Sequence, residues 1–286
     1  MMIRFPNVAA FAGLPAFDGA AVLQGSWPDR SKKDDPGRIW VEVDGASDML
    51  SFYGAEIEGP PLINLHGDCS YRDGAGWAVY DSYPKTFPYG MQVLAEQVAR
   101  STQRTFVDLA RPGVHGSSGN HQQRRRLREV KLVDAALSVL KDAFGWSSLD
   151  LAGLSGGGHL VAALMARRSD IGVAVIASGN VAVRRRNQEQ GRATDVTGYT
   201  DFVDPIDLVD EVARHPPRRV IVLTDPSDTV VSAACQTAYV EALRGAGVAV
   251  EHRLITALGP GRHDLQDAAI LAAVAAGASP AAQSMA

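Results

Sequence analysis

The sequence predicts an α/β fold, a mostly parallel and twisted sheet with helices on both faces and little or no cap. Two observations carry this. Short runs of β-forming residues alternate with helical stretches along most of the 286 residues, the pattern of parallel strands joined by crossover helices. At one such junction, Asp150 to His159, a serine stands between glycines in Gly153-Leu154-Ser155-Gly156-Gly157. The run before it, Ser148 to Ala152, is β-rich, and Leu160, Val161, Leu164 and Met165 follow at helical spacing. A strand, a sharp turn and a helix hold such a serine at the tip of the bend with its hydroxyl exposed, a nucleophile elbow. Glycines tolerate the strained backbone there and let strand and helix meet without side-chain collision.

Irregular sequence opens the chain. Residues 1–37 end in the polar segment Trp27 to Gly37 and read as a lead-in laid over the domain. Ile39 to Val43 alternates as a strand, Asp44-Gly45 marks a turn, and Met49 to Ile57 supplies a paired strand. Pro61 to Leu65 is a short apolar run suited to a buried parallel strand, and it stops at His66-Gly67-Asp68. Cys69 to Tyr89 has no period and reads as a long loop. A helix over Gly90 to Ser101 and a strand over Arg104 to Leu109 come next, then a loop from Ala110 to Arg124.

Arg128 to Phe144 carries one apolar stripe of Val130, Val133, Leu137, Leu140 and Phe144, with Gly145 where a C-terminal cap belongs. After the elbow, Ile171 to Ala177 is a strand and Val181 to Tyr199 a polar surface loop. Pro205 to Arg214 is a short helix begun by proline. Arg219 to Leu223 and Val248 to Ile255 are strands, each followed by a helix, Ser232 to Arg244 and Asp264 to Ala276. One domain over residues 38–277 is expected, with residues 278–286 as a frayed tail.

Composition narrows the function. At 46% hydrophobic and 21% charged residues the chain has ample material for a full core. A net charge of −4 argues against a nucleic-acid partner. Cys69 and Cys235 lack metal-site spacing and read as two buried thiols, so neither a metal nor an organic cofactor is expected. No apolar run approaches the ~20 residues of a membrane span, and the first residues lack the core of a signal peptide. The expectation is a cytoplasmic protein with no membrane partner.

A serine hydroxyl needs a base to take its proton, and the base needs a carboxylate to orient it. On an elbow fold the acid and the histidine follow the serine in that order. Asp228 lies just past the Arg219–Leu223 strand, and His263 lies between the last strand and the last helix. Both fall in loops at the carboxyl ends of strands, as does Ser155. Asp225 is the rival acid, but Asp225-Pro226 is a natural turn starter. His159 sits on the helix after the elbow and reads as structural. His252 lies inside a strand, and His215 precedes two prolines. His115 and His121 precede the serine; their loop, Arg111 to His121, is dense in Gly, Ser and His and can line a pocket. Arg124 to Arg126 and Arg184 to Arg186 invite an anionic substrate, although such runs are usually solvated faces.

Together the elbow at Gly153–Gly157, Asp228-Thr-Val-Val231, Gly261-Arg-His-Asp264 and the early His66-Gly67 resemble the α/β-hydrolase superfamily over about residues 39–277. The chain is more similar to the small catalytic domains of prolyl-oligopeptidase-like and dienelactone-hydrolase-like proteins than to lipases. The resemblance implies Ser155 as nucleophile, His263 as general base and then acid, and Asp228 as orienting carboxylate. The oxyanion donors would be the Gly156 amide and, from the His-Gly-X motif, the Asp68 amide, with Cys69 as a further option. A carboxylate at residue 68 departs from the richer His-Gly-Gly form and must point away from the developing anion. The expected substrate is a small ester with a short or medium acyl group. A peptide or amide is the alternative, since both use the same triad. A third possibility is a binding protein on the same fold without catalysis.

Overall fold

The computed structural model describes residues 3–277. The expected tail, residues 278–286, and the first two residues of the lead-in lie outside the described residues. In chain order the elements are α1 (Gly19–Gln24), β1 (Arg38–Val43), β2 (Ala46–Ala55), β3 (Leu62–Leu65), β4 (Ser70–Asp73), β5 (Gly76–Val79), α2 (Pro88–Thr102), β6 (Phe106–Leu109) and α3 (Leu127–Phe144). Then come β7 (Leu149–Leu154), α4 (Gly156–Met165), β8 (Ile171–Ala177), α5 (Val183–Glu189), α6 (Val209–Arg214), β9 (Arg219–Thr224), α7 (Ala233–Gly245), β10 (Val250–Leu254) and α8 (Gln266–Gly277). Eight strands form a mostly parallel sheet in the order β1-β2-β6-β3-β7-β8-β9-β10, and β4 pairs with β5. Among the described residues no helix is long and apolar enough to cross a membrane.

The described chain divides into two compact units. The first comprises residues up to Pro61, Asp68–Ser147 and Gly191–Val203. Its strands are antiparallel, with β1 on β2 and β2 on β6. Helix α3 buries Val130, Leu132, Val133, Ala136, Leu137 and Leu140 on the stripe its sequence shows, each large side chain contributing about 1.5–3 kcal/mol. Gly145 ends it in the left-handed conformation, φ 67°, with its amide on the Lys141 carbonyl.

Two stretches of this unit differ from expectation. Residues 69–89 contain the hairpin β4–β5, whose turn begins at Asp73. The lead-in holds the short helix α1, started by the Asp18 side chain on the Ala20 amide. Phe11 and Val22 of the lead-in are buried, and Phe5 packs on Phe52 and Phe144.

The second unit comprises Leu62–Gly67, Ser148–Gln190 and the chain from Asp204 onward. Here β3, β7, β8, β9 and β10 pair in parallel. Strands β3, β7 and β8 are mainly apolar and almost wholly buried, as strands covered on both faces require, whereas β10 at the sheet edge carries Glu251, His252 and Arg253, and all of Gly156–Met165 in α4 is buried. A bulge in the β7–β8 ladder leaves the Val173 amide without a ladder partner, and the Asp150 carboxylate accepts it at 2.8 Å. The expected surface loop after Val181 instead begins with α5. Asp204 starts that helix from a distance, accepting the Val183 amide at 2.8 Å and the Arg184 amide at 2.9 Å.

Candidate active site

Ser155 stands between β7 and α4 with φ 54° and ψ −112°, a conformation that a side-chain-bearing residue adopts only when its surroundings enforce it. The enforcement is visible in the backbone. The Ser155 amide donates to the Ala177 carbonyl at 2.9 Å, and the Ser155 carbonyl accepts from His159 at 3.0 Å. The two glycines of the motif are there for space. A Cβ on Gly153 would overlap the Gly157 carbonyl group, and one on Gly157 would overlap the Leu65 carbonyl oxygen of β3. Any other residue at either position would push the strand and helix apart. Gly67, just past β3, lies close enough that a Cβ there would touch the Ser155 Cβ at 3.5 Å. The Gly156 amide opens α4 and donates to no protein group among the described residues.

Past β9, the turn at Asp225–Val231 brings Asp228 inward. The Asp228 carboxylate is fully buried, and its Oδ1 accepts the amides of Val230 and Val231 at 2.8 and 3.0 Å. Its Oδ2 lies 2.7 Å from His263 Nδ1. With Nδ1–H donated to the carboxylate, Nε2 carries the lone pair of the neutral imidazole, and this atom is buried without a hydrogen-bond partner. Among the described residues no hydrogen bond joins it to the Ser155 hydroxyl.

Asp225, the rival acid, is occupied elsewhere: it accepts from Ser227 N, Ala257 N and Arg262 Nε. The Arg262 guanidinium, with the amides of Ala257 and Ser227, holds its carboxyl down at about 2. His252 is on β10 and contacts Thr224 Oγ1 at 3.0 Å, and His215 caps the end of α6. Sequence reasoning weighed Asp225 as the rival acid and as a turn starter. Its proximity to Arg262 has no local signal.

In the first unit, Asp68 is the centre of a buried ionic cluster. Its carboxylate oxygens accept from Arg111 at 2.9 Å, Arg124 at 2.8 Å and Arg125 at 2.7 Å. Arg111 also pairs with Glu129, and Arg125 with Asp195, both at 2.8 Å. Three cations thus meet three anions. Burial alone would raise the Asp68 carboxyl, but the guanidiniums of Arg124, Arg125 and Arg111 hold it well below the carboxylate range. Burial likewise opposes ionisation of Asp195, and Arg125 with the Thr197 hydroxyl and amide brings it down to about 2.

The expectation that Arg124 to Arg126 form a solvated face is therefore corrected: Arg124 and Arg125 are 1% and 0% exposed. Arg126 is the exposed member, paired with Asp201. Of the second run, Arg184 pairs with Asp207 and Arg185 with Glu189 on the surface, and Arg186 bonds the Val230 carbonyl. The carboxylate and amide of Asp68 are independently disposed. The carboxylate is bound by the arginines, while the amide donates to no protein group among the described residues. The Cys69 amide, the further option for an oxyanion donor, is taken, since it donates to His121 Nε2 at 3.1 Å.

The Arg111–His121 loop is structural in this unit. Ser117 and Ser118 accept the Ser51 and Met49 amides of β2 at 2.9 and 2.8 Å, and His115 stacks on Tyr83. Burial pushes the Cys69 thiol up to about 12 and the Cys235 thiol up to about 11, which leaves both unreactive at neutral pH.

No family model matches the chain, and no curated protein sequence matches it. Solved structures do. An esterase from Pyrococcus furiosus is 13% identical, with 97% of this chain and 96% of that one aligned at a TM-score of 0.59. A Butyrivibrio proteoclasticus protein solved with ferulic acid bound is 15% identical over 83% of this chain and 96% of its own, TM-score 0.57. An acylaminoacyl peptidase from Pyrococcus horikoshii is 13% identical over 82% of this chain, TM-score 0.55, and the match spans 37% of that longer protein. A parallel sheet in this strand order, an elbow serine after β7 and these neighbours agree: the chain has the α/β-hydrolase fold.

Proposed function

We propose that this protein is a serine hydrolase that cleaves a carboxylic ester of short or medium acyl length through an acyl-enzyme. The observation that carries the reading is the 2.7 Å bond from His263 Nδ1 to the buried Asp228 carboxylate. It fixes the ring so that the remaining lone pair belongs to Nε2, an atom with no other partner. In this reading Ser155 Oγ attacks the acyl carbon while His263 Nε2 takes its proton. The Gly156 amide receives the tetrahedral oxyanion, and its lack of a protein acceptor supports that role; the family resemblance gives the Asp68 amide as the second donor. The protonated His263 then gives its proton to the leaving alkoxide. A water, deprotonated by the same nitrogen, attacks the acyl-enzyme, and Ser155 Oγ leaves with that proton returned from His263 as the acid is released.

The serine–histidine bond is not made here, and such bonds tighten once substrate is in place. Asp228 stabilises the imidazolium in both half-reactions without itself taking the proton. No step calls on a metal or an organic cofactor. Helices α5 and α6, of 7 and 6 residues, support a small cap and an open site.

The experiment is labelling with a fluorophosphonate, wild type beside Ser155→Ala, with turnover of p-nitrophenyl acetate through octanoate and of amino-acyl amides. The expected result is one label per chain and ester turnover in wild type. Ser155→Ala should lose the label and roughly a million-fold in kcat. A folded wild type that takes no label would sink the hydrolase reading and leave the binding-protein alternative, which the unmade serine–histidine bond favours. A peptidase is the second reading, supported by the likeness to the acylaminoacyl peptidase. Amide turnover matching or exceeding ester turnover would select it.

A further inference from the structure

We infer that Asp225 is a positioning residue for His263, tying the loop that carries the base to the turn that carries Asp228. This rests on the serine-hydrolase reading above. All three hydrogen bonds of its carboxylate reach into those two segments. Oδ1 accepts the Ser227 amide at 2.8 Å within its own turn, while Oδ2 accepts both the Ala257 amide and Arg262 Nε at 2.7 Å. The side chain is fully buried, whereas that of Arg262 is 42% exposed. A guanidinium with that much access to water has no need of a protein partner for its charge, so the pair serves to place Arg262, not to neutralise it.

The residue so placed is the one before His263. Arg262 sits at φ 52°, a left-handed backbone that an arginine leaves unless it is held. The segment from Ala257 to His263 lies outside any helix or strand. It is closed by the Leu258–Asp264 backbone pair, the Arg262 amide on the Gly259 carbonyl and the Thr229 amide on the Gly261 carbonyl at 3.0 Å. Asp225 is the charged fastening among these contacts, and it reaches the loop at both ends, Ala257 and Arg262. The bond from His263 Nδ1 to Asp228 leaves little room for error, and a shift of about 1 Å in a reacting group costs about a hundredfold in rate. Asp225 and Asp228 therefore divide the work: one fixes the loop, and the other fixes the ring.

The test uses the full chain as wild type, Asp225→Asn, Arg262→Ala and Arg262→Lys, with Arg253→Gln as a surface control. Each is measured for kcat and KM on p-nitrophenyl acetate, for the stoichiometry and rate of fluorophosphonate labelling, and for Tm. Asp225→Asn should still label fully but about 10–100-fold more slowly. Its kcat should fall in parallel, with KM within about threefold of wild type. Arg262→Ala should show the same split, Arg262→Lys should recover part of it, and Arg253→Gln should match wild type. If Asp225→Asn does not fold, Arg262→Ala carries the test alone.

A lowered Tm with labelling rate and kcat per labelled site unchanged would overturn the proposal and make the pair merely structural. A wild type that takes no label at Ser155 would bring down the hydrolase reading and this inference together. A labelled wild type with equally fast Asp225→Asn and Arg262→Ala would overturn this inference alone.

Discussion

Two clusters of ionisable side chains, one in each compact unit, are built on opposite rules. Around Asp68 every cation and every anion has a partner: Arg111, Arg124 and Arg125 face Asp68, Glu129 and Asp195. Around Asp228 the count is deliberately short by one, because His263 Nε2 is buried and unpartnered. A saturated cluster has nothing left to offer a substrate, however basic its sequence looks. An unsatisfied nitrogen at the end of an oriented ring has a whole lone pair to give. Burial alone does not separate scaffold from chemistry. Between these two clusters, the unspent hydrogen-bonding capacity of His263 Nε2 does.

The widest gap between the clusters should be seen on replacing the acid of each. Asp228→Asn keeps the shape but loses the charge that selects the His263 tautomer, so kcat should fall by about ten-thousand-fold while the Tm changes little. Ester turnover and thermal melts of the same preparation check this. Next in size is Arg125→Met, which strands Asp195 in a buried setting and takes one of three guanidiniums from Asp68. A loss of about 3–5 kcal/mol in denaturant unfolding is expected, with the variant that folds still labelled at Ser155.

Acid should weaken the Asp68 cluster at a scale of about 2 kcal/mol. Asp195 has its folded value depressed from 3.8 to about 2, so its contribution is present above about pH 4 and is lost as the pH falls towards 2. Asp68 is depressed too and adds to the same trend. Unfolding free energy measured between pH 5 and 2 should decline steeply in wild type and less steeply in Asp195→Asn. The smallest effect belongs to the exposed edge of the arginine run. Arg126→Ala breaks a pair with Asp201 whose side chains are 31% and 58% exposed, and the denaturant midpoint should stay close to that of wild type.

Much of the strand and helix order was readable because those elements carry a local signal: the stripe of α3, the apolar runs of β3, β8 and β9, and the glycines of the elbow. The pairing of Asp228 with His263 was expected for a different reason, since the hydrolase resemblance sets an acid and a histidine in the loops after two late strands. The arginines were misread because a run of three like charges looks solvated unless its partners are known. Those partners lie 57 and 70 positions away in sequence. Helix α5 was missed for a similar cause: its opening amides are capped by Asp204, 21 positions further on. Hairpin β4–β5 lacks strict alternation, so only Asp73-Gly74 marked it. The Asp225–Arg262 pair had no local mark at all.

The contact between Gly157 and the Leu65 carbonyl has a consequence for how this scaffold can change. Ser155 is seated by main chain against main chain, without any side chain as intermediary. Residues lining the approach to the serine can therefore be exchanged wholesale, by evolution or by an engineer, and Ser155 will keep its address. The same arrangement makes residue 157 a point of no variation: every one of the other nineteen amino acids brings a Cβ to a place already occupied by the Leu65 oxygen.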